Sequence, residues 1–299
     1  MFLALVATQP WPETLADDDS VQATNLPLTA ANMVFFRSSE GVLSQTPVRQ
    51  ALVAGVNVKA LTEGLAEPII PVREPVLQGS AGYNPAYHQL QFNFSEATAR
   101  LDQEGWVKGA NGIRSKEGKP LTFKLYAQDT PENGNVTARL QSQWRKLGVD
   151  VKVFLQSDVD LRDTVASHGY DALLYGISLG VDPDEYVYWH SSQFDVRSAR
   201  LNFSEYKSAV ADSALEDGRT RSDPTLRAIK YQPFLQAWQQ DAPALGLYQP
   251  RFLYITRGQV YNFADHTLTA DTDRFNNVQN WMIRRAPQTI KPSADSTVK

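Results

Sequence analysis

The feature that most constrains the fold is a run of alternating hydrophobic periods between residues 121 and 175. Leu121–Ala127 (LTFKLYA) alternates apolar and polar residues, as a half-buried strand does. Val136, Leu140, Trp144 and Leu147 then recur at helical spacing, and Gly148 supplies a stop. Val149–Leu155 (VDVKVFL) alternates again. A second helix is predicted over Asp158–His168, with Leu161 and Val165 on one face and Gly169 ending it. Tyr170–Tyr175 (YDALLY) is the third strand. Strand, helix, strand, helix, strand at these lengths implies right-handed crossovers and a parallel sheet core. Ligands of such sheets sit beyond the carboxyl ends of the strands. The loop Gly176–Asp184 therefore leaves the sheet on the ligand-facing edge.

The flanks are less regular. Residues 8–32 carry Pro10, Pro12, Pro27 and the acidic run Asp17–Asp19, and read as an irregular connector. Met1–Ala7 (MFLALVA) is apolar but far too short to span a bilayer. It lacks a basic n-region and a cleavage site, so it reads as a buried strand. Met33–Phe36 is a strand. Thr46 as N-cap and Pro47 at the first helical position open a helix. Residues 64–92 read as a long loop, and Ser95 as the cap of a short helix ending at Gly105. Asn202–Gly218 and Asp223–Gln240 read as helices, with Pro233 expected to kink the second. Leu245–Thr256 is strand-like and broken at Pro250. Residues 286–299 read as a flexible tail. No internal repeat is present.

Composition excludes several classes of function. The 299 residues carry a net charge of -4 and no clustered Lys or Arg, which argues against a nucleic-acid partner. With no cysteine, there is no disulfide, thiolate metal site or cysteine nucleophile. The 4 histidines, His88, His168, His190 and His266, are not in metal-binding spacing. No nucleophile elbow, phosphate loop or dinucleotide fingerprint occurs. Gly105, Gly109 and Gly112 lie in a polar turn. No catalytic residue, metal ligand or cofactor site is expected. The densest polar-aromatic cluster is Val181–Phe194 (VDPDEYVYWHSSQF) on the ligand-facing loop. Its carboxylates could do acid–base work, pin an ammonium group, or cap a helix after Pro183, for which Asp182 has the N-cap signature. Its aromatics could be core or ligand wall. The candidate ligand-binding set is Tyr175, Ser178, Asp182, Asp184, Tyr186, Tyr188, Trp189 and His190.

Four stretches, in order, resemble family 5 extracellular solute-binding proteins, the group of oligopeptide- and dipeptide-binding proteins. Met33–Leu61 is similar to the family's strand and "D-x-x-VRQAL-x-x-A" helix, with Gln45 replacing the aspartate. Phe92–Leu125 resembles its "A-x-x-LL-x-x-AGW…G…GKPL-x-L" segment. Leu140–Gln193 and Asp241–Trp281 carry the third and fourth. The resemblance implies an α/β chain: the C-terminal lobe of a type II periplasmic-binding-protein fold, a mixed sheet flanked by helices. Residues 1–30 would be a connector from the missing N-terminal lobe toward the hinge, and residues 31–285 the lobe itself.

The resemblance further implies a non-enzymatic monomer that captures peptides or similar small solutes for the permease subunits of an ABC importer. It would work at the extracellular face of the cytoplasmic membrane or in the periplasm, with a signal or lipid anchor expected in the missing part. Peptide-binding relatives carry an aspartate for the peptide's amino terminus in a segment close to G-W-x-x-D-Y-x-D-P. Here the segment is GISLGVDP, with Leu179 or Gly180 at that aspartate's place. Asp184 substitutes for it, or the ligand lacks a free amine. Oligosaccharides, metal chelates and a solute-sensing role in a regulatory protein stay open as alternatives.

Overall fold

The computed structural model describes residues 20–65, 69–180, 184–195, 197–263 and 266–283. The strand expected at Met1–Ala7, the Asp182 cap and the tail after Arg285 lie outside the described residues.

The predicted alternation forms, except that the third strand runs Ala172–Ser178 rather than Tyr170–Tyr175, so Gly176–Ser178 of the expected loop are strand, held by pairing with Ala30–Asn32. β4 (Thr122–Gln128), β5 (Asp150–Gln156) and β6 (Ala172–Ser178) are parallel, with β4 between the other two. The crossovers are α4 (Pro131–Leu147) and α5 (Asp158–Ser167). Three further strands extend the sheet antiparallel: β2 (Ala30–Phe36), β3 (Ile70–Pro71) and β7 (Ala244–Gln249). The order β3-β7-β2-β6-β4-β5 makes a mixed sheet. Its register puts the start of β2 against the end of β6, Ala30 opposite Ser178.

Successive strand residues face opposite sides of the sheet, and both sides are buried. Val34, Phe36, Leu125, Leu174 and Leu245 pack under α1 (Thr46–Ala54), α2 (Val58–Thr62), α3 (Phe94–Gln103) and α4. Met33, Phe35, Leu173 and Ile177 pack under α5, α6 (Tyr186–Trp189), α7 (Ala209–Arg219) and α8 (Pro224–Asp241). α8 achieves this with Tyr231, Phe234, Leu235 and Trp238 on one stripe.

α4 shows how local chemistry sets an element's limits. Thr130 accepts a hydrogen bond from the Asn133 amide, Pro131 opens the first turn, and Gly148 ends the helix at φ 89°. A β-carbon at Gly148 would also lie 2.8 Å from Arg114 Cγ. Trp144 fills the space between Phe36 and Phe123 and donates its Nε1–H to the Leu52 carbonyl at 2.9 Å.

Several expectations are corrected. The connector read as irregular contains β1 (Val21–Pro27), paired antiparallel with β8 (Arg251–Arg257) in a second sheet. Its polar sequence hides it, because its stability comes from the apolar partner strand: Leu26 packs with Phe252, Tyr254 and Leu268. Gln45, not Thr46, caps α1, and the Thr46 hydroxyl accepts from Arg49 instead. Asn93, not Ser95, caps α3. His168, at φ 52°, terminates α5 ahead of Gly169. The helix expected from Asn202 begins only at Ala209. Asn202 spends its amide on the His190 and Tyr206 carbonyls, and Glu205 takes a left-handed conformation, φ 46°, that breaks a helix.

Candidate functional site

The carboxyl ends of β4, β5 and β6 lie together at Gln128, Gln156 and Ser178. From the end of β6 a groove of about 350 Å³ opens between α5, β6 and the segment 198–203. Its walls include Arg162 of α5, Tyr175 and Ser178 of β6, Tyr188 of α6, Arg200 and Phe203. Buried Phe203 braces both tyrosines, meeting Tyr175 edge-on at 5.4 Å and Tyr188 at 6.4 Å. The Tyr188 hydroxyl donates to the Ser178 carbonyl at 2.7 Å, tying α6 to the end of the strand. Burial, then the charge of Glu185, pushes the Tyr188 phenol up, so it stays a neutral donor.

The eight sequence-derived candidates separate into groups. Tyr175, Ser178 and Tyr188 come together in the groove. Asp184, Tyr186 and His190 are committed elsewhere, to α7. Asp184 pairs with Arg219 at 2.8 Å, Arg219 lies over the Tyr186 ring, and Tyr186 stacks on His190 at 4.1 Å. His190 Nε2 in turn sits 3.3 Å from Glu216 Oε1. Trp189 is no ligand wall. It is fully buried against Phe35 and Trp238, because neighbouring residues of a helix are turned about 100° from one another, so Trp189 meets the core while Tyr188 borders the groove. Its Nε1–H donates to Glu185 Oε2 at 3.1 Å. Asp182 lies outside the described residues.

Sequence reasoning missed Arg162, Arg200 and Phe203. They stand outside the polar-aromatic cluster, and the region holding Phe203 reads as helix when it is not. Behind the groove lies a buried polar series, also unanticipated. His168 Nδ1 is 2.9 Å from Glu205 Oε1, and its Nε2 donates to the Arg200 carbonyl at 3.1 Å. Glu205 also accepts from Ser39 and pairs with Arg37. Among the described residues no group of three or more His, Cys, Asp or Glu could hold a metal ion. No described helix is long and apolar enough to cross a membrane.

The model of the middle region of the bacterial extracellular solute-binding proteins, family 5, matches residues 2–197. The chain belongs to this family. Among family relatives it is similar to the oligopeptide-binding protein AppA of Bacillus subtilis, 27% identical over 210 residues, covering 68% of this chain and 38% of that protein. The probable D,D-dipeptide-binding periplasmic protein DdpA of Escherichia coli is 25% identical over 252 residues, covering 83% of this chain and 46% of its own length. The chain thus spans less than half of either relative. Two solved structures share its fold. NikZ from Campylobacter jejuni, in complex with Ni(L-His), has a TM-score of 0.78 at 22% identity, over 90% of this chain and 55% of that one. AppA from Bacillus subtilis, in complex with a nonapeptide, has a TM-score of 0.77 at 22% identity, over 91% and 54%. The fold is that of a type II periplasmic binding protein, with the mixed sheet flanked by helices expected from the sequence.

Proposed function

We propose that this chain forms one lobe of a solute-binding protein that delivers peptides or similar small solutes to an ABC importer. The observation that carries the reading is the groove at the carboxyl end of β6, where Tyr175, Ser178 and Tyr188 converge on the edge at which such sheets bind ligands. Family membership supports a binding role rather than catalysis. The partner would be a membrane permease, and the site of action the outer face of the cytoplasmic membrane or the periplasm.

The connection between the two sheets suits a capture device. The chain passes from β1 to β2 and from β7 to β8 side by side. At this crossing the Leu28 amide donates to the Pro250 carbonyl at 3.0 Å, and Gln249 Nε2 donates to the Leu28 carbonyl at 2.6 Å. Two adjacent crossings with proline at each, Pro27 and Pro250, form a hinge about which the main sheet would move relative to the β1–β8 ribbon. On this reading the binding lobe starts at β2, near residue 31, and the segment before it belongs to the hinge. The main sheet ends at Gln249, and β8 pairs with β1 on the other side of the crossing.

Half a cleft buries too little of a ligand for tight binding. A calorimetric and thermal-shift panel on the full-length protein that carries this chain tests the proposal. The panel holds di- to nonapeptides, oligosaccharides and nickel–histidine. Saturable peptide binding by the intact protein, with weaker binding by these 299 residues alone, is the expected result. A panel in which an oligosaccharide raises the melting temperature and no peptide does would overturn the peptide assignment.

A further inference from the structure

Arg200 differs from the other inward-facing arginines. Arg49 gives its guanidinium to the Asp241, Leu43 and Ser44 carbonyls and to the Thr46 hydroxyl. Arg114 gives its own to Leu147, Trp106 and Asp102. Arg162, the second guanidinium of the groove, pairs with Asp158 at 2.7 Å. Arg200 is half-buried and its Nε has no hydrogen-bond partner, as is true of Arg37 and Arg100, but unlike those two its side chain pairs with no carboxylate among the described residues. Asp195, close by in sequence, is bonded to Arg197 at 2.9 and 3.0 Å, and the Arg200 charge reaches it without a direct ion pair. Among the described residues no acidic side chain lines the groove.

The backbone under Arg200 is held in place at some cost. Arg200 (φ 53°), His168 (φ 52°) and Glu205 (φ 46°) are all left-handed and are linked in one hydrogen-bonded series. The Arg200 amide donates to Ser198 Oγ at 3.1 Å, and its carbonyl accepts from His168. Glu205, at the far end, is anchored by Ser39 and Arg37. Non-glycine residues persist in this region only when their surroundings over-determine them, and such strain gathers at ligand clamps.

A half-buried guanidinium that lines a groove without a carboxylate partner is unfavourable until an acceptor arrives. Its planar fork matches a carboxylate, which it binds through two parallel hydrogen bonds. We propose that Arg200 is the anion-recognising residue of this groove, pairing with a carboxylate of the solute while the apolar part of that solute lies against Tyr175 and Tyr188. His168 and Glu205 are positioning residues that fix the Arg200 backbone. The inference rests on the solute-binding reading and names the chemistry the solute must carry.

The test is titration calorimetry on the full-length protein with four probes: trialanine, trialanine amide, Ala-Glu-Ala amide and inorganic phosphate. At least one carboxylate-bearing peptide should bind about tenfold or more tighter than trialanine amide, as a charge-assisted hydrogen-bond pair implies. Whether trialanine or Ala-Glu-Ala amide gains tells a terminal carboxylate from a side-chain one. Arg200→Gln should erase the preference, bringing the affinity for the carboxylate peptide down to that for trialanine amide in the same variant, and Arg200→Lys should keep part of it. His168→Ala should shrink the preference without weakening amide binding. Equal binding of acid and amide by the wild type overturns the inference and leaves the solute-binding reading intact, and so does a folded Arg200→Gln variant that keeps the preference. Phosphate competing better than the carboxylate peptides overturns the choice of carboxylate. Failure of all three peptides, with the wider panel also silent, sinks both.

Discussion

His168 Nδ1 and Glu205 Oε1 lie 2.9 Å apart in the interior, each on a residue whose backbone is left-handed. Burial alone would raise the Glu205 carboxyl. The hydrogen bonds from His168 and Ser39 and the charge of Arg37 outweigh it and hold the group at about 2, below the ordinary 4.5. A depressed carboxylate contributes stability that is present above pH 4.5 and lost as pH falls toward 2. Glu205→Gln should therefore destabilise the chain by about 3 kcal/mol at pH 7. The gap between variant and wild type should close as the pH drops through that window. Urea denaturation at pH 7, 4 and 2.5 reads it out, and a gap independent of pH would refute the assignment.

Glu185 should behave with the opposite sign. Burial pushes its carboxyl up to about 8, only partly offset by the hydrogen bond from Trp189. A raised carboxyl makes the native state hold a proton that the unfolded chain releases, so stability falls as pH rises from 4.5 to 8. Glu185→Gln keeps an acceptor for the Trp189 indole and removes the titration. It should match wild type near pH 4 and exceed it by several kcal/mol at pH 8. Melting curves of the pair at both pH values decide the matter. A variant less stable than wild type at pH 8 would mean that Glu185 is ionised in the fold.

Gly218 tests the packing of α7 on α8. A β-carbon there would lie 2.1 Å from Tyr231 Cε1, inside the ring's own contact distance. Both residues are buried, so neither can yield to solvent. Gly218→Ala should cost about 1–3 kcal/mol by overpacking. Tyr231→Leu, which empties the space the new methyl needs, should make the double variant less unstable than the sum of the singles. Simple additivity in that cycle would show that the ring is not what excludes the side chain.

These sites also mark the limit of what the sequence shows. The parallel core is legible because its strands and helices each carry an unbroken period, and because Thr130, Pro131 and Gly148 punctuate α4 with ordinary capping chemistry. β1 is not legible, since VQATNLP has little apolar content of its own and is a strand only through β8. Nor is the groove. Tyr175, Ser178 and Tyr188 stand close to one another in sequence, but Arg162, Arg200 and Phe203 join them through tertiary packing. The segment 200–206 owes its shape to hydrogen bonds of Asn202, Glu205 and His168, which no local propensity reports. Periodicity cannot see a conformation that is fixed by partners distant in the chain.

Tyr188 and Trp189 make the last prediction, because adjacent residues of one short helix should fail in different ways. Trp189 is enclosed by Phe35, Phe234 and Trp238 and is the donor to Glu185. Trp189→Ala should cost about 3–5 kcal/mol, the usual range for deleting a buried aromatic. Its effect on binding should then follow the folded fraction alone. Tyr188 is only half-buried and holds α6 to β6 through one hydrogen bond to the Ser178 carbonyl. Tyr188→Phe should cost about 1 kcal/mol of stability. Tyr188→Ala should strip the groove of one wall and weaken solute binding far more than it lowers the urea midpoint. The two quantities, folding free energy by urea and affinity by calorimetry under conditions where each variant is folded, separate the roles. A Trp189→Ala protein of near-native stability would place that ring outside the core. A Tyr188→Ala protein with unchanged affinity would remove α6 from the binding site and leave the groove to Tyr175 and Arg200.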